Sequence, residues 1–413
     1  MSPTDPWGEA YVGLLLHLDR HIPGYVDSFF GPPELRAAVQ QEEPRRPAVL
    51  VREAIDLQAD LARQGYEAGR TAFLERQLLA VETVARKVAG ERFSYHEEVE
   101  RCFDISPRWV EEEVFQAAGR ELEELLPGEG RLGERMQAYR DRWIVPEERV
   151  LSLVETVLEE LQRRARPLID LPAGEGVEVR LVRGQPWGAY NWYLGEYRSR
   201  IELNTDLPTR ASSLLELFAH EAYPGHHTEC SVKEQVLYRG RGYAEACIFP
   251  LNTPASVMAE GIGNVAVRVA FEDAERMRWK NEVLYQQAGV GPESVERMLR
   301  LEKAGKELRF VGANAALALH EKGWPAERVV EYRERYALET REEAEKSLQF
   351  LQSPLFGAYI FCYSAGEVLI EEAMERVGDG RGLFRRLLSE AWTPSALAAL
   401  GREPGTPAGG TSE

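Results

Sequence analysis

One segment of the chain, residues 220–227, combines residue types that can bind and use a metal ion. Three of the seven histidines and one glutamate fall in the run HEAYPGHH, directly after the mostly apolar run 214–219. Neutral imidazoles bind transition-metal ions, and a neighbouring carboxylate can take a proton from the water that such an ion activates. The segment therefore predicts a metal site with His220 as a ligand and Glu221 as the general base.

The spacing of the histidines differs from that of HExxH, in which two histidines on one helix face bind a single zinc ion. Position i+4 is Pro224, and on an unbroken helix His226 would point about 240° away from His220. Pro224 disfavours helical geometry at the preceding residue, and Gly225 permits a turn with positive φ. We therefore expect the helix to end here, so that the chain folds back and brings His226 to the metal as the second ligand.

A third ligand is expected on a neighbouring helix, and Glu260 is the candidate. It is the lone carboxylate of the apolar stretch SVMAEGIGNVAVR, where burial without a cation would be costly. Gly261 and Gly263 remove side chains at places where another helix could approach closely. Because bonds to one ion are ~2 Å long, the ligand atoms of His220, His226 and Glu260 should lie within about 4 Å of one another.

Residues close to the motif suggest supporting roles and one alternative site. His227 is better placed as a substrate contact or a support for a ligand than as a ligand itself. Glu216 lies one helical turn before His220 and could orient its imidazole, as carboxylates do for metal-bound histidines. Cys230 offers a His/Cys zinc site instead, although no second cysteine lies at ligand spacing. Hydrogen-bonded histidines at a helix end, or a metal with a purely structural role, would also explain the motif.

The elements that must position these residues are mainly helices. Apolar residues recur at helical spacing over residues 8–166 and again over 208–399. Between these parts, near residues 177–205, alternating apolar and charged residues predict a small β-hairpin or edge sheet. Tyr190 and Asn191 in this β element could line a cleft. We therefore predict a mainly α fold, a large helical body with two lobes around a cleft.

Changes in composition suggest where the parts of the chain begin and end. Proline and glycine residues cluster between positions 166 and 175, which predicts an N-terminal helical lobe at residues 1–170. A catalytic lobe at 171–400 would hold the β element and the metal-binding helices. The segment 401–413 is rich in Gly, Pro and Ser, and we expect it to be a disordered tail.

Charge and composition exclude several classes of partner. The net charge of −18 argues against nucleic-acid binding and against anionic membrane surfaces, because both require a basic surface. No uncharged apolar segment reaches the ~18 residues that span a bilayer. The four cysteines form no CxxC pair, and the N-terminus lacks the cationic start of a signal peptide. We therefore expect a cytoplasmic protein; the sequence leaves its oligomeric state open.

Three motifs together resemble the bacterial domain-of-unknown-function 885 family. They are HEAYPGHH, the AEG at 259–261 and the YSAG at 363–366, and the segment GAYNWYLGEYRSRIELN is similar to the Gly-Ala-Tyr segment of that family. The family resembles zinc metallopeptidases of the gluzincin type, which are mostly helical. The resemblance implies that His220, His226 and Glu260 bind zinc, that Glu221 is the base, and that Tyr363 donates a hydrogen bond to the oxyanion.

These observations predict a zinc-dependent hydrolase, first of all a peptidase, with one zinc ion per chain and a peptide or small amide as substrate. Tyr363 or His227 would stabilise the tetrahedral oxyanion. The helical spacing of Tyr363 with Phe356 and Tyr359 also fits a core role. Two alternatives stay open, namely hydrolysis of a non-peptide amide or ester at the same site, and a non-catalytic scaffold protein with a structural metal.

Overall fold

A computed structural model describes residues 5–185 and 187–402, and most of them are helical, which confirms the predicted mainly α fold. The helices of the first half are α1 (Pro6–Asp19), α2 (Pro33–Gln41), α3 (Pro47–Leu61), α4 (Ala68–Val88), α5 (Tyr95–Phe103), α6 (Glu112–Leu125), α7 (Leu132–Asp141) and α8 (Glu147–Ala165). Residues 403–413 of the predicted tail lie outside the described residues.

The second half of the chain is also mainly helical. Its helices are α9 (Ala211–Glu221), α10 (His226–Lys233), α11 (Pro254–Ala270), α12 (Asp273–Trp279), α13 (Gln286–Ala288), α14 (Val295–Glu307), α15 (Val311–His320), α16 (Ala326–Tyr336), α17 (Arg341–Gln352), α18 (Ile360–Val377), α19 (Gly380–Ser389) and α20 (Pro394–Ala399). Turns of π-helix at Glu234–Gly240 and Lys280–Tyr285 continue α10 and α12. Within the described residues, no helix combines the length and the apolar character that crossing a membrane requires.

Two small sheets accompany the helices, and one of them is the predicted β element. The strands are β1 (Val26–Phe29), β2 (Gly176–Val182), β3 (Ala189–Gly195), β4 (Arg198–Asn204) and β5 (Ile248–Pro250). β3 and β4 form an antiparallel hairpin, β2 pairs parallel to β4, and β3 therefore lies at the edge of this sheet. β1 pairs antiparallel with β5, which joins an N-terminal strand to the segment just before α11.

The hydrophobic core does not follow the division predicted at residue 170. One large cluster packs the N-terminal helices α1, α3, α4 and α5 against α15 and α18 from the C-terminal part of the chain. A second cluster packs α8 against α9, α11 and the hairpin strand β4. Each cluster therefore draws on residues from both sides of the expected boundary.

Helices α11 and α18 cross at unusually close range, which fixes the helix that carries Glu260. A Cβ added to Gly366 would lie 2.1 Å from the carbonyl oxygen of Val257, and one added to Gly261 would lie 2.6 Å from the carbonyl oxygen of Gly366. Only glycine at both positions permits this contact between the two backbones. The crossing holds Glu260 on α11 opposite the aromatic residues at the start of α18.

Candidate metal centre

The chain leaves the helical path between α9 and α10, where the sequence predicted a break. α9 ends at Glu221, the Tyr223–Pro224 peptide bond is cis, and α10 begins at His226. The backbone N–H of Gly225 donates a hydrogen bond to the carbonyl oxygen of Ala219, 2.9 Å away. The chain therefore folds back onto the last turn of α9.

The predicted positive φ of Gly225 is wrong, since its φ is −79°. Glycine is required here for another reason. A Cβ at this position would lie 1.9 Å from the carbonyl oxygen of His220 and 2.4 Å from that of Ala219. No side chain fits between the turn and the helix end, so the absence of a Cβ permits the reversal.

The structure brings His220, His226 and Glu260 together. Each offers one ligand atom, and these atoms all lie within 4.8 Å of one another. The two imidazole rings meet edge to face with their centroids 4.5 Å apart. This limit of 4.8 Å is wider than the distance of about 4 Å expected for two bonds of ~2 Å. The reversal at Gly225 thus places the second histidine beside the first.

The surroundings of Glu260 fit a cation. Its side chain is buried, Oε1 accepts a hydrogen bond of 2.7 Å from the Tyr359 hydroxyl, and Oε2 has no hydrogen-bond partner in the described structure. Burial raises the pKa of Glu260, but His220, His226 and Tyr359 outweigh burial and hold that pKa below its ordinary value. A buried, ionised oxygen without a partner is costly. Two imidazoles and a carboxylate form a donor set that suits zinc.

Asn264 holds the imidazole of His220. Nδ1 of His220 lies 3.1 Å from Oδ1 of Asn264, and the Asn264 amide donates 2.9 Å to the carbonyl oxygen of Tyr363 on α18. The ring also packs flat against Gly263, where a Cβ would lie 2.6 Å from it. These contacts occupy Nδ1 and leave Nε2 directed at Glu260, 3.4 Å from its Oε2.

Glu229 lies close to His226 on the same helix but beyond hydrogen-bond distance. Nδ1 of His226 lies 4.0 Å from Oε2 of Glu229, one helical turn further along α10. Burial lowers the pKa of His226, but Glu229, Glu260 and Glu221 outweigh this effect and raise it to about 9. The electrostatic environment at this ring therefore favours positive charge.

Glu216 does not orient His220, and this prediction is wrong. Both of its oxygens accept hydrogen bonds from Lys280, at 2.9 and 3.0 Å, and one also accepts from Arg276 at 3.2 Å. Lys280 and Arg276 are themselves buried. Burying two cations without a counter-charge costs more than leaving a neutral imidazole without a carboxylate. Glu216 therefore pairs with Lys280 and Arg276, and Asn264 contacts the His220 imidazole instead.

The structure does not bring His227 to the cluster. His227 is fully buried; its Nδ1 lies 2.8 Å from the Ser199 hydroxyl and its Nε2 lies 3.1 Å from Glu175 Oε2. Its ring also packs edge to face on Tyr223. Both nitrogens are occupied away from His226, so His227 ties the start of α10 to β4 and is not available to an oxyanion.

A cavity of about 260 Å³ opens beside the cluster. Its wall includes Glu221, Tyr363 and the edge strand β3, where the Asn191 amide donates 2.6 Å to the carbonyl oxygen of Glu221. Cys230 also lines the cavity but is not part of the cluster, and burial raises the pKa of its thiol. The same cavity is therefore lined by the cluster and by Glu221.

Tyr359, just before α18, and Tyr363, in its first turn, have different positions in this cavity. The Tyr359 side chain is buried and bonds to Glu260, whereas Tyr363 is 39% exposed and its hydroxyl makes no hydrogen bond to the described residues. Enclosure by the cavity wall and the charge of Glu260 raise the pKa of Tyr363 well above its usual range. Tyr363 therefore keeps its proton and has a free donor beside the cluster.

Sequence reasoning did not find Asp27, Asn264 or the role of Tyr359. Asn264 lies four residues after Glu260, a spacing that puts both on one helix face, so this partner could have been found. Asp27 stands on β1, far away in sequence, and no local pattern marks it. Its carboxylate lines the cavity and accepts a hydrogen bond from the Tyr190 hydroxyl. Burial, opposed by His226, raises the pKa of Asp27 to about 7.

No protein-family model matches the sequence, and no curated protein matches it. The resemblance to the domain-of-unknown-function 885 family therefore stays a prediction that rests on the motifs.

Several solved structures are similar to this chain. A candidate lipoprotein from Colwellia psychrerythraea is 18% identical, with a TM-score of 0.51 over 84% of this chain and 65% of that protein. A candidate lipoprotein of unknown function from Shewanella oneidensis is 14% identical, with a TM-score of 0.49 over 92% and 80% of the two chains. An M32 carboxypeptidase from Deinococcus radiodurans R1 is 13% identical, with a TM-score of 0.44 over 95% and 93%.

This chain spans only about two thirds of the length of the Colwellia protein. At such low identity, that likeness shows a shared fold and nothing about activity.

Proposed function

We propose that this protein is a zinc-dependent hydrolase and that its substrates are peptides. The observation that carries the proposal is the convergence of His220, His226 and Glu260 within 4.8 Å, beside a cavity that Glu221 also lines. Three protein ligands with open space next to them are typical of a catalytic zinc site, whereas structural sites are closed by four.

When bound, zinc would supply Lewis acidity, which polarises a carbonyl group and makes water a better nucleophile. Glu221, next to the ligand His220, takes the proton of the attacking water and passes it to the leaving amine. The Tyr363 hydroxyl donates a hydrogen bond to the oxygen on which negative charge develops. Asn264 holds the imidazole of His220 in orientation, which keeps its Nε2 atom available, and Glu229 places a negative charge near His226.

A non-peptide amide or ester could be cleaved by the same groups, because the chemistry of acyl transfer is shared. The edge strand β3 in the cavity wall favours a peptide, since a strand edge can pair with an extended main chain. A scaffold protein with a structural metal is the competing class, and it would need neither Glu221 nor the open cavity.

Chelation followed by metal addition tests the proposal. Protein stripped with a chelator should hydrolyse neither a peptide library nor amide and ester model compounds, and about one equivalent of zinc should restore hydrolysis. Activity on peptides but not on simple esters would support the peptidase. Zinc-loaded protein that hydrolyses none of the three classes would overturn the proposal in favour of the scaffold.

A further inference from the structure

The charges in the cavity wall are unbalanced. Four carboxylates line it, those of Asp27, Glu221, Glu229 and Glu260, against the single ammonium group of Lys233. Lys233 is already paired with Glu229, 2.5 Å away. With neutral histidines and all four carboxylates ionised, three negative charges stay uncompensated, and a divalent ion at the cluster would leave one.

Of the four carboxylates, Asp27 is the one whose charge no cation compensates. Glu229 has Lys233, Glu260 belongs to the cluster, and Glu221 must be free to accept a proton. Within the described residues, no lysine or arginine lies at ion-pair distance from Asp27, and the Tyr190 hydroxyl, its hydrogen-bond donor, is neutral. An enclosed carboxylate without a counter-charge is unfavourable unless a ligand supplies one.

Asn191 adds a second acceptor to the same cavity. Its side-chain amide nitrogen is held by the carbonyl oxygen of Glu221, so the orientation of the amide is fixed. The other end, Oδ1, is buried and has no hydrogen-bond partner in the described structure. An ammonium group carries three N–H donors and no acceptor, and it therefore matches a carboxylate and an amide oxygen together.

We infer that this cavity binds an ammonium group of the substrate, with Asp27 and Asn191 as the residues that recognise it. The inference rests on the proposed function and names its substrate class. The ammonium group is either the free amino terminus of a peptide or a basic side chain next to the cleaved bond. A terminal carboxylate is not matched, because the cation in the wall, Lys233, is occupied by Glu229. The volume of about 260 Å³ is below the usual range for drug-sized ligands, which fits one or two substrate residues.

Paired peptides separate the two sources of the ammonium group. Zinc-loaded protein is assayed with Ala-Ala-Ala-amide and its N-acetylated form, and with acetyl-Lys-Ala-Ala-amide and the same peptide carrying norleucine for lysine. Preference for the unacetylated peptide identifies the amino terminus, and preference for lysine over norleucine identifies a basic side chain. Equal kcat/KM values within both pairs would overturn the inference and leave the proposed hydrolase intact.

The Asp27→Asn variant tests the residue itself. Asparagine keeps the size and the acceptor for Tyr190 but removes the charge, so kcat/KM for the preferred peptide should fall roughly 10- to 100-fold, mainly through KM. The value for its uncharged counterpart should not change. Asp56→Asn, at an exposed carboxylate of α3, is the matched control and should leave both values unaltered. An equal fall for both peptides would mean that Asp27 only supports the fold.

Binding to a variant without the base gives a readout that does not depend on turnover. Calorimetry with zinc-loaded Glu221→Gln should show tighter binding of the ammonium-bearing peptide of the preferred pair than of its uncharged counterpart. Asp27→Asn in the same background should remove the difference. If wild-type protein hydrolyses nothing while this difference in binding is present, the proposed function fails and the ammonium site stands. If no difference in binding is found, the ammonium site fails.

Discussion

Nε2 of His220 and Oε2 of Glu260 face each other at 3.4 Å across two helices, α9 and α11. The other nitrogen of the ring is held by Asn264, and the other oxygen of the carboxylate is held by Tyr359. Each group therefore keeps one free atom, and the free atoms point at one another. This relation distinguishes the cluster from an ordinary buried ion pair, in which hydrogen bonds would satisfy both atoms of the carboxylate.

Removing a ligand should remove the metal. His220→Ala, His226→Ala and Glu260→Ala should each lose most of the zinc affinity, because three protein groups share the ion. Metal analysis of the purified variants gives the answer. His227→Ala is the matched control, and it should keep about one zinc per chain while unfolding more easily, by about 1–3 kcal/mol, since Ser199 and Glu175 lose their partner. Full zinc occupancy in Glu260→Ala would show that its role is misassigned.

Asn264→Ala should weaken zinc binding roughly 10- to 100-fold without abolishing it, because the imidazole of His220 would lose its orienting partner. Glu216→Gln is the comparison, since Glu216 is paired with Lys280 and Arg276. That variant should lower the stability of the protein and leave zinc affinity unchanged. Titration of both variants with zinc in a competition assay checks the difference. If only Glu216→Gln binds zinc more weakly, then Glu216 and not Asn264 orients the His220 imidazole.

Glu221→Gln separates the base from the ligands. Glutamine has the size and polarity of glutamate but cannot accept the proton, so turnover should fall by ~10² or more while zinc content and the unfolding midpoint hardly change. Single-turnover assays on the zinc-loaded variant measure the effect. Wild-type activity in this variant would contradict the mechanism.

Tyr359 and Tyr363 should respond differently to loss of the hydroxyl. Tyr363→Phe should retain zinc and lose about 10²-fold in kcat, because a donor to the developing oxyanion disappears. Tyr359→Phe should weaken zinc binding instead, since it frees an oxygen of the ligand Glu260. Measuring zinc affinity and kcat for both variants decides the assignment. Unchanged kcat in Tyr363→Phe would mean that Tyr363 only lines the cavity and does not stabilise the oxyanion.

Gly225→Ala tests the reversal of the chain. Even one methyl group would meet the His220 carbonyl oxygen at 1.9 Å, so the turn must open and His226 must move away. We expect loss of zinc binding and destabilisation by roughly 1–3 kcal/mol. Gly69→Ala in α4, where an added Cβ meets nothing within 4 Å, is the control and should bind zinc normally. Zinc binding by Gly225→Ala at wild-type strength would mean that the turn tolerates a side chain.

Local sequence patterns were sufficient for the helices and for the helix break. Helical spacing predicted the fold class, and Pro224 and Gly225 predicted the end of α9, because both residues limit the backbone of their immediate neighbours. The conformation of Gly225 was predicted incorrectly. Glycine is required at this position because carbonyl groups of α9 lie too close for a Cβ. Sequence rules for turns do not include such contacts.

The roles of residues whose contacts lie far away in sequence were not predictable from one sequence. Glu216 has the right spacing to support His220, but Arg276 and Lys280 approach it from another helix and take its charge. Asp27 reaches the cavity only because β1 pairs with β5. The residues near either position in sequence do not indicate these partners. The partners are set by the packing of elements that are distant in sequence.

The cavity beside the cluster also has a consequence for the synthesis of the protein. One part of its wall comes from residue 27 and another from residue 363, which are far apart in sequence. A growing polypeptide can carry both histidines and Glu260 before α18 has been made, but it then has no Tyr359 to hold Glu260 and no Tyr363 in the wall. Contacts of such long sequence separation form late. The cavity around the cluster is thus completed only after α18 has been made.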